Sequence, residues 1–160
     1  MSTYTKGNYF EHRVAKVFRS KGYRVQVTKA TGDCGIDLIL RKGGKTIGVE
    51  CKNYNKSQKI GRPVVQKLDS ALNHNPYSRK PFDYGFIVTS SEFSKDAVEH
   101  TRLINSHYGY ERLQLIDGRA FKAMQEGHRL DSIVKTWLIR FGVVAGLYAL
   151  FKLSTLNILG

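Results

Sequence analysis

The sequence predicts an α/β domain built on a mixed β-sheet flanked by helices, and three observations carry that expectation. Segments with helical spacing and segments with alternating spacing follow one another in the order α-β-β-β-α-β-α-β-α. A Gly43-Gly44 pair joins two of the alternating segments as a tight hairpin. A chain of 160 residues that is 41% hydrophobic is long and apolar enough to bury one core without disulfides or structural metals.

The elements follow in order. Residues 7–20 place Phe10, Val14, Val17 and Phe18 at i, i+4, i+7 and i+8, an amphipathic helix ended by Gly22. Tyr23 to Thr28 alternates as a strand, and residues 31–35 read as a loop. Two strands, 36–41 and 45–52, flank Gly43-Gly44. A polar, basic loop runs from Asn53 to Gly61, and Pro63 suits the first turn of a helix reaching about Asn73. Its inner face is expected to hold Val64, Leu68, Ala71 and Leu72. Residues 83–89 form a buried strand, Ser94 caps a helix from Lys95 to about Ser106, and 113–116 is a last strand. Asp117 caps a final helix to about Glu126. The expected organisation is a domain over residues 1–129 and a separate apolar helical tail over 130–160.

Composition narrows the function. The formal net charge is +13, and residues 1–80 hold 17 Lys and Arg against 5 Asp and Glu. A basic half of this kind attracts a polyanion by counterion release, so DNA is the expected partner. Cys34 and Cys51 form no CxxC pair, and the five histidines share no ligand spacing, which argues against a structural zinc site. Two cysteines and the polar residues 1–6 point to an intracellular, cytoplasmic protein rather than a secreted, disulfide-bonded one.

The hairpin carries the chemistry. In a two-residue hairpin Lys42 faces Lys45, and the same register sets Asp37 opposite Glu50. Alternation puts Leu38, Leu40, Ile47, Val49 and Cys51 on one face and Asp37, Ile39, Gly48, Glu50 and Lys52 on the other. Cys51 is then a core residue rather than a nucleophile. Lys52 faces Gly35, which has no side chain to crowd it. Two carboxylates directly opposed destabilise a sheet, and a bound divalent cation gives a reason to keep them. The plainer alternative is an exposed hairpin face with a Glu–Lys pair. Lys52 would bring its ammonium to the same place, to orient an attacking water or stabilise developing negative charge. The loop after this strand mixes cations with Tyr54, so Lys56, Lys59 and Arg62 are expected to contact phosphates.

The ordered set Gly32-Asp33-Cys34-Gly35-Ile36-Asp37-Leu38-Ile39 and Val49-Glu50-Cys51-Lys52 resembles the PD-(D/E)xK nuclease signature. With Gly7, Phe10-Glu11, Lys21-Gly22-Tyr23, Thr89 to Ser94 and Leu115 to Gly118, it is similar to the Mrr-like restriction endonuclease domain over about residues 6–126. The resemblance implies a restriction-endonuclease-like fold and a DNA endonuclease using Mg²⁺, with Mn²⁺ as a substitute. It makes Asp37 and Glu50 metal ligands and Lys52 the catalytic lysine. It also implies roles for Glu11 on the first helix and Gln66 on the second, each of which reads equally well as a solvated helix residue. Asp33 reads better as a turn residue than as a ligand. Ile36 stands where the signature has proline, and the chain has no room for a separate recognition domain. A structure-selective nuclease of the junction-resolvase kind, and a catalytically inactive DNA-binding or membrane-tethering module, are the competing expectations.

The tail has its own expectation. Phe141 to Phe151 is an uninterrupted apolar run, Lys152 interrupts it, and the apolar character resumes to Leu159. At about 1.5 Å per residue the uninterrupted run is shorter than a bilayer core of about 30 Å. Residues 137–159 are expected to act as a membrane-surface anchor or as a homo-oligomerisation element.

Overall fold

A computed structural model describes residues 3–28, 35–55, 57–76 and 78–126, the last lying at the end of one compact unit. The expected tail, the 129/130 boundary, Asp33, Cys34 and Lys56 fall outside the described residues.

The elements are α1 (Thr3–Ser20), β1 (Arg24–Val27), β2 (Leu38–Lys42), β3 (Lys45–Lys52), β4 (Lys59–Ile60), α2 (Arg62–Ala71), β5 (Tyr84–Thr89), β6 (Glu92–Phe93), α3 (Lys95–Tyr108), β7 (Leu113–Ile116) and α4 (Gly118–Gln125). The predicted α/β class and mixed sheet are present. Five strands pair in the order β1-β2-β3-β5-β7. The first three form an antiparallel meander, and β5 and β7 add in parallel through the crossovers α2 and α3. The caps expected from sequence are in place: Ser94 accepts from the Ala97 N–H, and Asp117 from the Ala120 N–H.

The sheet is covered on both faces. Leu38, Leu40, Ile47, Val49 and Cys51 pack against Phe10, Val14, Val17 and Phe18 of α1 and Phe121 of α4, as the alternation predicts. Phe10 and Phe121 meet edge to face at 5.4 Å. The opposite face is also core. Ile36, Ile39 and Ile87 pack against Val65, Leu68 and Ala71 of α2, Leu72 just after it, and Ala97 of α3. Val65 is fully buried and Val64 only half-buried, so α2 is rotated slightly from the stripe expected on the sequence. Two glycines let α2 come this close. A Cβ on Gly48 would sit 3.1 Å from a Leu72 methyl, and one on Gly85 would sit 2.7 Å from the other.

The sequence reading missed β4 and β6, which pair in parallel as a small second sheet. Two residues are too few to show a period. This pairing fixes the segment after β3 to the segment after β5, at the end of the sheet where Glu50, Lys52 and Thr89 lie.

Candidate active site

The register of the hairpin holds for every ladder pair, from Leu38 with Val49 to Lys42 with Lys45. Gly43 and Gly44 both have positive φ, as a tight connection of this kind requires. Asp37 departs from the simple expectation, because it lies one residue before β2 and is not a ladder partner of Glu50. Its N–H donates to Val49 O at 2.8 Å, and its own carboxylate accepts the Cys51 N–H at 2.6 Å. The side chain thus replaces a backbone acceptor at the end of the ladder. Thr28 holds the segment from the other side, donating through its hydroxyl to the carbonyls of Ile36 and Asp37.

Glu50 is buried at 2% exposure, on the face of β3 that α2 covers. One oxygen, Oε1, accepts from the Lys52 ammonium. The other, Oε2, is buried without a hydrogen-bond partner. An ionised oxygen left in this state is costly unless something positive meets it. The alternative of an exposed Glu–Lys pair on a solvated hairpin is therefore set aside.

Charge couples these groups. Burial and repulsion from Glu50 push the Asp37 carboxyl up to about 7, against the opposing Cys51 hydrogen bond; Glu11 adds repulsion and Lys52 attraction. Glu11, half-buried on α1, thus lies within electrostatic reach of Asp37. Burial disfavours the charge on Lys52, but hydrogen bonding and attraction from Glu50, with attraction from Asp37, hold its ammonium above the usual lysine value. The Cys51 thiol is pushed well above its ordinary value, first by burial and then by Asp37, which suits a core residue and not a nucleophile.

The donor set fits a hard divalent cation. Among the described residues no three His, Cys, Asp or Glu side chains gather as a cage. Mg²⁺ does not need one, since one or two carboxylates and several waters complete its shell. Asp37 and the unpartnered oxygen of Glu50 supply those two carboxylates. The cost of holding them together without a cation gives a pH test. Asp37 binds its proton more tightly folded than unfolded, so the folded state gains stability below about 4 and loses it as pH rises through about 7. Glu111, pushed up to about 7 by burial, acts in the same direction. Thermal melts in a chelator are expected to show a Tm that falls between pH 5 and pH 8, and Asp37→Asn is expected to flatten part of that fall. An unchanged slope in Asp37→Asn would show that Asp37 is not the strained group.

The remaining predicted residues separate. Lys59 lies on β4 with its ammonium 3.1 Å from Glu92 Oε2, and Arg62 is exposed in the first turn of α2. Gln66 is exposed on α2, and the side chain that reaches Glu50 from that helix is its neighbour Lys67, 3.9 Å from Oε1. Sequence reasoning missed Lys67. Its position beside the buried Leu68 put it at the rim of the helix's apolar stripe, but what it meets there depends on the packing of α2 against Gly35. Three hydroxyls hold backbone at and beyond Lys52. Thr89 and Ser90 donate at 2.8 Å to the carbonyls of Lys52 and Tyr54, and Ser91 donates to Gln58 O.

The chain is similar to known proteins in sequence and in fold. The Mrr_cat family model, described as restriction endonuclease, matches residues 4–125. Among solved structures, a protein of unknown function, AF1548, superposes with a TM-score of 0.57 at 18% identity, covering 81% of this chain and 75% of that one. The DNA modification-dependent restriction endonuclease AspBHI superposes with a TM-score of 0.55 at 20% identity, covering 81% of this chain. The MspJI restriction endonuclease, in complex with a 27-mer oligonucleotide, gives a TM-score of 0.48 at 20% identity over 84% of this chain. The matched region spans 34% of AspBHI and 32% of MspJI. No curated protein matches the chain.

Proposed function

The chain belongs to the Mrr_cat restriction endonuclease family and has a restriction-endonuclease-like fold, and from that premise we propose that it is a DNA endonuclease using Mg²⁺, or Mn²⁺ in its place. The observation that carries the proposal is the buried, unpartnered Oε2 of Glu50, in a site where burial and then repulsion from Glu50 already disfavour the charge on Asp37. Asp37 and Glu50 would hold the cation. A cation bound there supplies positive charge and Lewis acidity at a phosphodiester. Lys52 keeps its proton and presents an ammonium beside Glu50. There it orients the attacking water or stabilises charge as it develops on the phosphate. Glu11 is kept as a further acid of the site because it acts on Asp37 electrostatically. A role for Gln66 rests on the family resemblance alone.

DNA as the substrate is supported by the net charge of +13. Lys56, Lys59 and Arg62 are its proposed phosphate contacts, and the Thr89, Ser90 and Ser91 hydroxyls hold the carbonyls of Lys52, Tyr54 and Gln58. With the Asp37, Glu50 and Lys52 set present, an inactive binding module is the weaker reading. No helix among the described residues is long and apolar enough to cross a membrane. For residues 130–160 we keep the role of a membrane anchor or self-association element, supported by the apolar run from Phe141 to Phe151.

The test is incubation of plasmid and branched DNA with the full chain and with a chain ended after Arg129, with and without Mg²⁺. Both forms are expected to cut only with the divalent cation, and only the full chain to pellet with vesicles or to oligomerise. Absence of cleavage on every DNA with Mg²⁺ and Mn²⁺ would overturn the nuclease proposal. Strong preference for branched DNA would select the structure-selective reading, and an unfolded short form would make the tail part of the core.

A further inference from the structure

The site contains a second lysine whose position is unexplained by its contact with Glu50. Lys67 projects from α2 with a side chain 60% exposed, and its ammonium stands 3.9 Å from Glu50 Oε1. That same oxygen already accepts a shorter contact from Lys52. Lys67 is thus too far for a hydrogen bond to an acceptor that is already served, and an ammonium has three donors to place.

The side chain nonetheless lies in a made position. A Cβ on Gly35 would fall 2.6 Å from both Cε and Nζ of Lys67 and 3.4 Å from Oε2 of Glu50. The lysine therefore lies across bare glycine backbone, next to the unpartnered oxygen. Gly35 also has φ +85°, a conformation that other residues rarely adopt. Any side chain there would push Lys67 off the site. Gly35 and α2 thus combine to bring an exposed cation to the edge of the buried Glu50 and half-buried Asp37 carboxylates.

We propose that Lys67 is a substrate-binding residue, its ammonium engaging a backbone phosphate of the DNA strand brought to Asp37, Glu50 and Lys52. This rests on the nuclease reading above. A strand whose phosphate reaches Lys52 comes within range of an ammonium that stands 3.9 Å from the same Glu50 oxygen on the α2 side. At 3.9 Å from Glu50 Oε1 the Lys67 ammonium keeps its donors for the phosphate. Lys67 and Lys52 then divide the work: Lys67 holds the strand and Lys52 serves the reacting group.

The test uses the full chain with Lys67→Ala and Lys67→Arg. Binding of a labelled DNA duplex is followed by fluorescence anisotropy over a salt series in a chelator, where no cleavage occurs, and steady-state cleavage is measured with Mg²⁺. Lys67→Ala is expected to bind more weakly, with a slope of log affinity against log salt shallower by about 1. Its KM is expected to rise several-fold with kcat held within about threefold. Lys67→Arg is expected to recover most of the affinity. A wild-type slope and a wild-type KM in Lys67→Ala would overturn the inference. If that variant instead only lowered Tm, Lys67 would be a counter-ion of Glu50 and the inference would equally fail. Wild-type protein that neither binds nor cuts DNA would overturn the nuclease reading itself, a result separate from either outcome for Lys67.

Discussion

Asp37→Ala and Glu50→Ala are each expected to lower divalent-dependent cleavage by about 10³-fold or more while the chain stays folded. The size follows from what each carboxylate is kept for. Glu50 is buried with one oxygen unpartnered, and Asp37 is held with its carboxyl pushed up to about 7. Neither arrangement favours the metal-free fold. Removing Glu50 leaves Lys52 without its hydrogen-bond partner, but Lys52 is only half-buried and water can serve it. Removing the Asp37 side chain leaves the buried Cys51 N–H without its acceptor, about 1–3 kcal/mol, and relieves the repulsion at the same time. Metal-free Tm is therefore expected to change by only a few degrees in either variant. Single-turnover cleavage and circular dichroism on the same samples check both halves. Cleavage near the wild-type rate in both variants would remove the carboxylate pair from the mechanism.

Lys52→Ala is expected to lose about 10²-fold or more in turnover on bound DNA, with affinity for DNA changed by only a few-fold. Lys52 stays charged because Glu50 and Asp37 outweigh the burial that opposes its charge. A cation held in that way is placed at the reacting group and contributes little to long-range attraction, which the exposed lysines and arginines of the chain supply. Lys52→Arg is not expected to rescue turnover, since a planar guanidinium in contact with Glu50 places its donors differently from an ammonium. The check is a pair of measurements, DNA affinity and single-turnover rate at saturating enzyme. A collapse of affinity with an unchanged rate on bound substrate would make Lys52 a binding residue.

Most of the site's scaffold was legible in the sequence because local rules set it. Gly43-Gly44 fixes the hairpin register, and alternation from that point sorts Leu38, Leu40, Ile47, Val49 and Cys51 to the α1 face. The ladder's end was not legible. Asp37 replaces a strand partner with its own carboxylate, a choice made between the Cys51 N–H and the loop held by Thr28. The burial of Glu50 was equally hidden. Alternation assigns Glu50 to the face opposite Leu38 and Val49 without saying what covers that face, and α2 closes over it because Gly48 and Gly85 remove the side chains that would hold the helix away. Lys67 enters the site through the same close approach. The pairing of β4 with β6 depends on a contact between segments far apart in the chain, which no local period announces.

The most direct test of the central claim is a calorimetric titration of Mg²⁺ and Mn²⁺ into the wild-type chain, Asp37→Asn and Glu50→Gln. Both substitutions keep the size of the side chain and remove its charge. Wild-type protein is expected to bind the cation, more tightly as pH rises through about 7 because the proton on Asp37 competes with it. Both variants are expected to lose that binding. Equal binding by all three proteins, with no dependence on pH across that range, would contradict the assignment of Asp37 and Glu50 as the groups that hold it.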